Sequence, residues 1–146
     1  MTNETATRIL MSNIVGYRIL LLIKHPNIDP NLITSELNVE PDRTWRAGDL
    51  RETPAGNRLP GVRTETMWTY TFAYGNDRRF FVRVDELVDW LNKHQDFLLS
   101  VESGRGSTEI YVQLPGDANL GDAVSWKTLK KMTDLRVDLS IEVFPP

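Results

Sequence analysis

A tryptophan, an arginine and an aspartate surround one glycine in the segment Trp45-Arg46-Ala47-Gly48-Asp49. Arg46 could bind a carboxylate or a phosphate through its forked guanidinium, with Trp45 as an apolar platform beside it. A structural role is also open, in which Trp45 fills the edge of the core, Gly48 adopts a positive φ and Asp49 bonds its own loop. We favour the structural role. The candidate binding residues are Trp45, Arg46, Gly48 and Asp49, together with Trp68, which opens a strand downstream.

Aromatic residues recur at every second position along that strand, as Trp68, Tyr70, Phe72 and Tyr74. Side chains at this spacing share one face of a strand. Such a row could line a ligand groove or stack against nucleic acid bases. We favour the core face of a sheet, because aromatic residues are enriched in strands and the glycine–aromatic pattern of an RNA-recognition strand is absent.

Five arginines lie between residues 41 and 65 and could form a phosphate-binding patch: Arg43, Arg46, Arg51, Arg58 and Arg63. Four acidic residues are interleaved with them: Asp42, Asp49, Glu52 and Glu65. The local excess is therefore one positive charge, which favours an ordinary solvated surface over a phosphate site.

Residues for catalysis or metal binding are scarce. The chain has no cysteine, which excludes disulfides, thiolate metal sites and a cysteine nucleophile. Its two histidines, His25 and His94, lack metal-ligand spacing, and no HExxH, GxSxG, P-loop or GxGxxG motif is present. The sequence therefore predicts no catalytic residue, no metal ligand and no cofactor.

The composition bounds the class of protein. The 146 residues, with a formal net charge of −3, fit one soluble domain with no general attraction to nucleic acid or anionic membrane. No apolar run reaches the roughly 20 residues of a membrane span, and no signal peptide is evident. We expect residues 1–15 to be a partly disordered N-terminal arm, residues 16–146 to be the domain, and the location to be cytoplasmic.

Hydrophobic periodicity predicts four strands and three helices in the order β-α-β-α-β-α-β. The strands are 16–24, 66–74, 108–114 and 136–143; the helices are 30–37, 85–102 and 124–132; and residues 41–65 are mostly loop. Strands with one wet face indicate a mostly antiparallel sheet of about four strands with helices on its other face. The predicted fold is a two-layer α+β sandwich.

The chain resembles the bacterial proteins grouped as domain of unknown function 4279. The shared pattern covers residues 16–144: an apolar strand, an Asp29-Pro30 helix, the Trp45–Asp49 loop, Trp68 opening a strand, and a final strand–helix–strand segment. The resemblance implies a fold and a bacterial origin. It implies no activity, because the family has none assigned.

Two hypotheses about function remain open. The first is a non-enzymatic binding module for another protein, acting through residues 41–65 or the exposed sheet face; toxin neutralisation by an immunity protein is one specific form, by analogy of fold and size. The alternative is a small-molecule binder or enzyme with a pocket beside the Trp45–Asp49 loop. A homodimer is also open, since an open sheet has two edges.

Overall fold

The computed structural model describes residues 16–146, so the predicted N-terminal arm at residues 1–15 lies outside the described residues. The strands are β1 (Tyr17–His25), β2 (Arg43–Trp45), β3 (Leu50–Glu52), β4 (Arg58–Val62), β5 (Thr66–Gly75), β6 (Ser107–Pro115) and β7 (Val137–Phe144). The helices are α1 (Pro30–Leu37), α2 (Phe80–Asn92), α3 (Gln95–Ser103) and α4 (Trp126–Leu135).

The main sheet has five strands in the order β2-β5-β1-β6-β7. β1 pairs antiparallel with both β5 and β6, and β2 pairs antiparallel with β5. β6 and β7 run parallel because α4 carries the chain back between them. The predicted α+β sandwich is confirmed, with five strands in the sheet in place of about four. β3 and β4 form a separate two-stranded sheet.

All four helices cover one face of this sheet. Alternate residues of β1, from Tyr17 to Ile23, are buried in one hydrophobic cluster with residues of every helix. Ile110 and Val112 of β6 extend the cluster. The opposite face of the sheet, which we call the helix-free face, carries the other half of each strand.

The aromatic row predicted on one face of β5 is interrupted by a β-bulge. Trp68 is fully buried, and Tyr70 and Phe72 pack against the core. Opposite Phe72, however, the pairing between β1 and β5 shifts by one residue. A shift of one residue turns the following side chains to the other face. The prediction for Tyr74 was therefore wrong: it pairs with Arg18, whose guanidinium lies 5.8 Å from its ring on the helix-free face.

The predicted long helix is divided and begins earlier. α2 starts at Phe80, five residues before Asp85, because Phe80 is buried against Tyr17 and the Phe81 N–H donates to Asp122. That acceptor is distant in sequence, so no local capping residue signals the start. Lys93 and His94 lie between α2 and α3, and the chain leaves the helical conformation at His94, which has φ −115° and ψ 27°. None of the helices within residues 16–146 is long and apolar enough to cross a membrane.

Candidate functional site

Trp45 is the last residue of edge strand β2, opposite Met67 of β5. Because Trp68 next to Met67 points into the core, Met67 and Trp45 lie on the helix-free face. Two guanidiniums contact the Trp45 ring: Arg63 at 3.7 Å and Arg43 at 4.9 Å from its centroid. The prediction that Trp45 fills the edge of the core was therefore wrong. It is half-buried in an arginine stack on the other side of the sheet.

The next four residues form a tight turn. The Arg46 N–H donates to the Asp49 carboxylate at 2.8 Å, and the Asp49 N–H donates to the Arg46 carbonyl at 3.0 Å. Gly48 has φ +92°, where a side chain would be strained. Asp49 thus bonds its own loop, as the structural interpretation predicted, and its carboxylate is already engaged. The Arg46 side chain is exposed and lies 3.5 Å from Asp29, the N-cap of α1.

Trp68 does not join these residues. Its side chain is on the helix side of β5, and its indole N–H donates to the Thr34 hydroxyl of α1 at 3.0 Å. The structure therefore groups Trp45, Arg46, Gly48 and Asp49 at one edge of the sheet and places Trp68 in the core. Trp68 contacts this edge only indirectly: it bonds to α1, and Asp29, the N-cap of α1, lies beside Arg46.

Residues 46–65 form a β-hairpin that we call the arm. β3 and β4 contact each other and hardly any other element among the described residues. At the base of the arm, the Gly48 N–H donates to the Arg63 carbonyl and the Arg63 N–H donates to the Asp49 carbonyl, both at 2.8 Å. At its tip, Thr53 and Asn57 close the turn around Gly56. The prediction that residues 41–65 are mostly loop was wrong for β2, β3 and β4. In β4, Pro60 and Gly61 are residue types that argue against a strand.

The arm presents an apolar pair that the sequence analysis did not identify. Leu50 and Val62 lie opposite each other on the two strands, and they are 52% and 48% exposed. Two hydrophobic residues on either side of the turn-forming segment 53–57 could have signalled this pair. Two-stranded hairpins are marginally stable by themselves. The hydrogen bonds and ring contacts at its base around Trp45 therefore stabilise the arm, which exposes a small apolar surface.

The arginines do not converge on a phosphate site. Arg43 and Arg63 are held on the Trp45 ring, and Arg46 is beside Asp29. Arg51 donates to the Pro60 carbonyl along the arm at 3.3 Å. These four guanidiniums contact other groups of the protein and do not meet at one point, which argues against a phosphate-binding patch.

A groove of about 140 Å³ lies at the opposite end of the sheet from Trp45, between Arg18, Gln113 and Phe144, the last residue of β7. It is not the pocket beside Trp45 that the second hypothesis requires. Within residues 16–146, no group of three or more histidines and carboxylates is close enough to hold a metal ion.

The turn that leads into α1 depends on a neutral histidine. His25 Nδ1 accepts hydrogen bonds from the N–H groups of Asn27 and Ile28, at 3.1 and 2.9 Å. Burial lowers the pKa of His25 from its ordinary value of 6.5. Protonation of Nδ1 would remove the acceptor of both hydrogen bonds, so the folded state favours the neutral ring. This turn positions Ile28, whose carbonyl accepts from the Thr66 hydroxyl at the base of the arm.

We therefore expect acid to weaken the fold through His25. Because the folded-state pKa is below the unfolded value, the stabilisation is present above about pH 6.5 and is lost as the pH falls toward the folded pKa. Chemical denaturation at about pH 7 and about pH 5 should show a smaller decrease in the free energy of unfolding for His25→Asn than for the wild type. An equal decrease in both proteins would contradict this role.

Replacing Trp45 tests the arginine stack. We expect Trp45→Ala to lower the free energy of unfolding by about 1–2 kcal/mol, the sum of two exposed cation–π contacts and partial burial. The main result should be local: faster amide hydrogen exchange in β3 and β4, with helix amides nearly unchanged. Trp45→Phe keeps an aromatic face and should show a smaller change. Unchanged exchange in the arm of Trp45→Ala would contradict a role at its base.

Comparison with known proteins gives one match. A family model described as Domain of unknown function (DUF4279) covers residues 16–144, which is nearly the whole described chain. No curated protein and no solved structure matches the sequence.

Proposed function

Because the chain belongs to the DUF4279 family, whose description assigns no function, we propose one from the geometry: a non-enzymatic module that binds another protein through the arm. The exposed pair Leu50 and Val62 carries this proposal. The pair lies on a hairpin that stands apart from the core, so none of the four described helices covers it.

The construction of the arm supports a role in binding. Its base is braced by the Trp45 stack and by Thr66, whose hydroxyl accepts from the Ala47 N–H at 3.2 Å and donates to the Ile28 carbonyl at 2.6 Å. A braced base limits the conformational entropy lost when a partner binds. Arg51 and Glu52 flank the apolar pair and supply the polar rim that protein interfaces have.

Neutralisation of a protein toxin, as an immunity protein in a bacterial cytoplasm, is the specific form we propose. The bacterial origin follows the family resemblance, and the lack of cysteine suits a reducing compartment. The exposed arm would then cover the active site or the target-binding surface of the toxin.

Affinity capture tests the proposal. A C-terminally tagged full chain is expressed in its host, and co-purified proteins are quantified by mass spectrometry. We expect one stoichiometric protein that is retained by the wild type and lost by Leu50→Asp/Val62→Asp. The matched control Leu129→Asp/Val143→Asp changes two exposed apolar residues on α4 and β7, at the opposite edge, and should retain it. Equal retention by both double variants would overturn the proposal.

A further inference from the structure

The helix-free face has an apolar centre. Residues that pair with one another form rows across the sheet. Leu20 of β1 and Tyr111 of β6 lie in one row, Leu22 of β1 lies in the next row on this face, and Met67 of β5 lies in the row after that. These side chains are partly exposed because the described residues include no layer above them. A solvated sheet face normally carries polar residues at its centre. Leucines on the central strand therefore indicate a face that another surface covers.

Charge on this face is divided between its two sides. Arg43 is on β2 at one edge of the sheet, while Glu109 on β6 and Asp138 and Glu142 on β7 are on the other side. The side chains of these three carboxylates have no hydrogen bond or ion pair within the described part of the chain. One side of the face is therefore basic and the other acidic.

The charges on the central strand are already neutralised. Arg18 lies 3.7 Å from Asp42, and Lys24 lies 4.0 Å from Glu65. Among the described residues of this face, only its two sides therefore carry charge without an ion pair, since Arg43 stacks on Trp45 but contacts no carboxylate. The middle offers mainly leucine and tyrosine.

This arrangement is complementary to itself. A two-fold axis parallel to β1, lying between two facing sheets, places the basic side of each copy against the acidic side of the other. The register then matches specific residues: Arg43, Thr69, Leu22, Glu109 and Asp138 form one row across the sheet. In that row Arg43 meets Asp138 of the second copy, and Leu22 meets its own equivalent. An axis perpendicular to the strands would instead oppose like charges.

We propose that the helix-free face binds a second copy of this chain, forming a face-to-face dimer with two Arg43–Asp138 contacts. Facing sheets pack with their strands nearly aligned, about 10 Å apart, which long side chains at the edges can span. The face consists of five strands and four rows of residues, one for each β1 residue on it from Arg18 to Lys24. It spans roughly 20 Å by 20 Å, or about 800 Å² over two copies, which is below the area of standard specific interfaces and in the range of weak, transient ones. We therefore expect a reversible dimer with a dissociation constant in the micromolar range. The surface is separate from the tip of the arm, so this proposal does not depend on the proposed function.

Charge reversal tests the dimer by sedimentation equilibrium of the full chain. Arg43→Asp and Asp138→Arg should each weaken dimerisation by about 10–100-fold, because like charges then meet at both contacts. Mixing the two single variants should restore association, since each heterodimer contact again joins opposite charges. Within one chain the two residues are about 19 Å apart, beyond the Debye length at physiological salt, so contact within a monomer does not explain the rescue.

Further variants keep the test decisive. If Arg43→Asp fails to fold, Leu22→Lys should still abolish the dimer by placing two ammonium groups together at the axis. Ile141→Asp, at the edge strand β7, should leave the dimer intact. A wild type that is monomeric at about 200 µM, far above micromolar dissociation constants, overturns the proposal. So does a dimer that only Ile141→Asp disrupts, or one that forms only after deletion of residues 1–15, which would make that segment the natural cover.

Discussion

Replacing Trp68 with alanine is expected to reduce the free energy of unfolding by about 3–5 kcal/mol. The indole is fully buried between β5 and the helices, and it packs beside Tyr70 with ring centroids 6.1 Å apart. Its N–H also bonds the Thr34 hydroxyl, which ties α1 to the sheet. Alanine would leave a cavity and remove the hydrogen bond that the Thr34 hydroxyl accepts, although this hydroxyl would still donate to the Pro30 carbonyl. Urea denaturation at neutral pH measures the loss.

Two controls separate packing from hydrogen bonding. Trp68→Phe keeps most of the apolar volume and loses the donor, so it should cost less than alanine. Tyr74→Ala removes an aromatic residue that is 62% exposed on the same strand and should change stability by less than about 1 kcal/mol. If Trp68→Ala is as stable as Tyr74→Ala, the assignment of Trp68 to the core is wrong and a binding role for it returns.

The second large effect is on binding. We expect Leu50→Asp/Val62→Asp to weaken the complex with the captured partner by at least about 100-fold, because two apolar contact residues become charged groups that must be desolvated. Stability should change little, since both side chains are about half exposed in the free protein. Isothermal titration calorimetry with the purified partner measures the change in affinity.

The stability of the variants distinguishes lost contact from lost folding. Leu129→Asp/Val143→Asp should bind with wild-type affinity, and Arg46→Ala should bind nearly as well, because its exposed ion pair with Asp29 contributes about 0–1 kcal/mol. A double variant of Leu50 and Val62 that binds as tightly as the wild type would move the interface away from the arm.

Much of the fold could be predicted because the residues that begin and end many of its helices and strands lie close to those ends in the sequence. Asp29 and Pro30 begin α1 as their sequence indicates, and Asn38 in the left-handed region ends it. Ser125, a residue type that commonly begins helices, caps α4 by accepting from the Lys127 N–H. The early start of α2 depends on Asp122, about forty residues away, and the reversal at Tyr74 depends on a bulge between strands. Neither contact leaves a periodic trace in the sequence.

The candidate site was predicted only in part. The turn chemistry of Gly48 and Asp49 follows from residue type, and the structure confirms it. The position of Trp45 could not be predicted from its residue type, because its ring stacks against Arg63, eighteen residues downstream on the other side of the arm. Nor did periodicity reveal the pairing of Leu50 with Val62, since the strands are short and irregular.

Hydrogen exchange with and without the captured partner tests the central claim most directly, because it maps the contact surface without any mutation. We predict that the partner slows exchange at amides of residues 50–52 and 58–62 and leaves α4 and β7 unchanged. Protection confined to the helices or to the β7 edge, with the arm exchanging as in the free protein, would contradict the assignment of the arm as the binding surface.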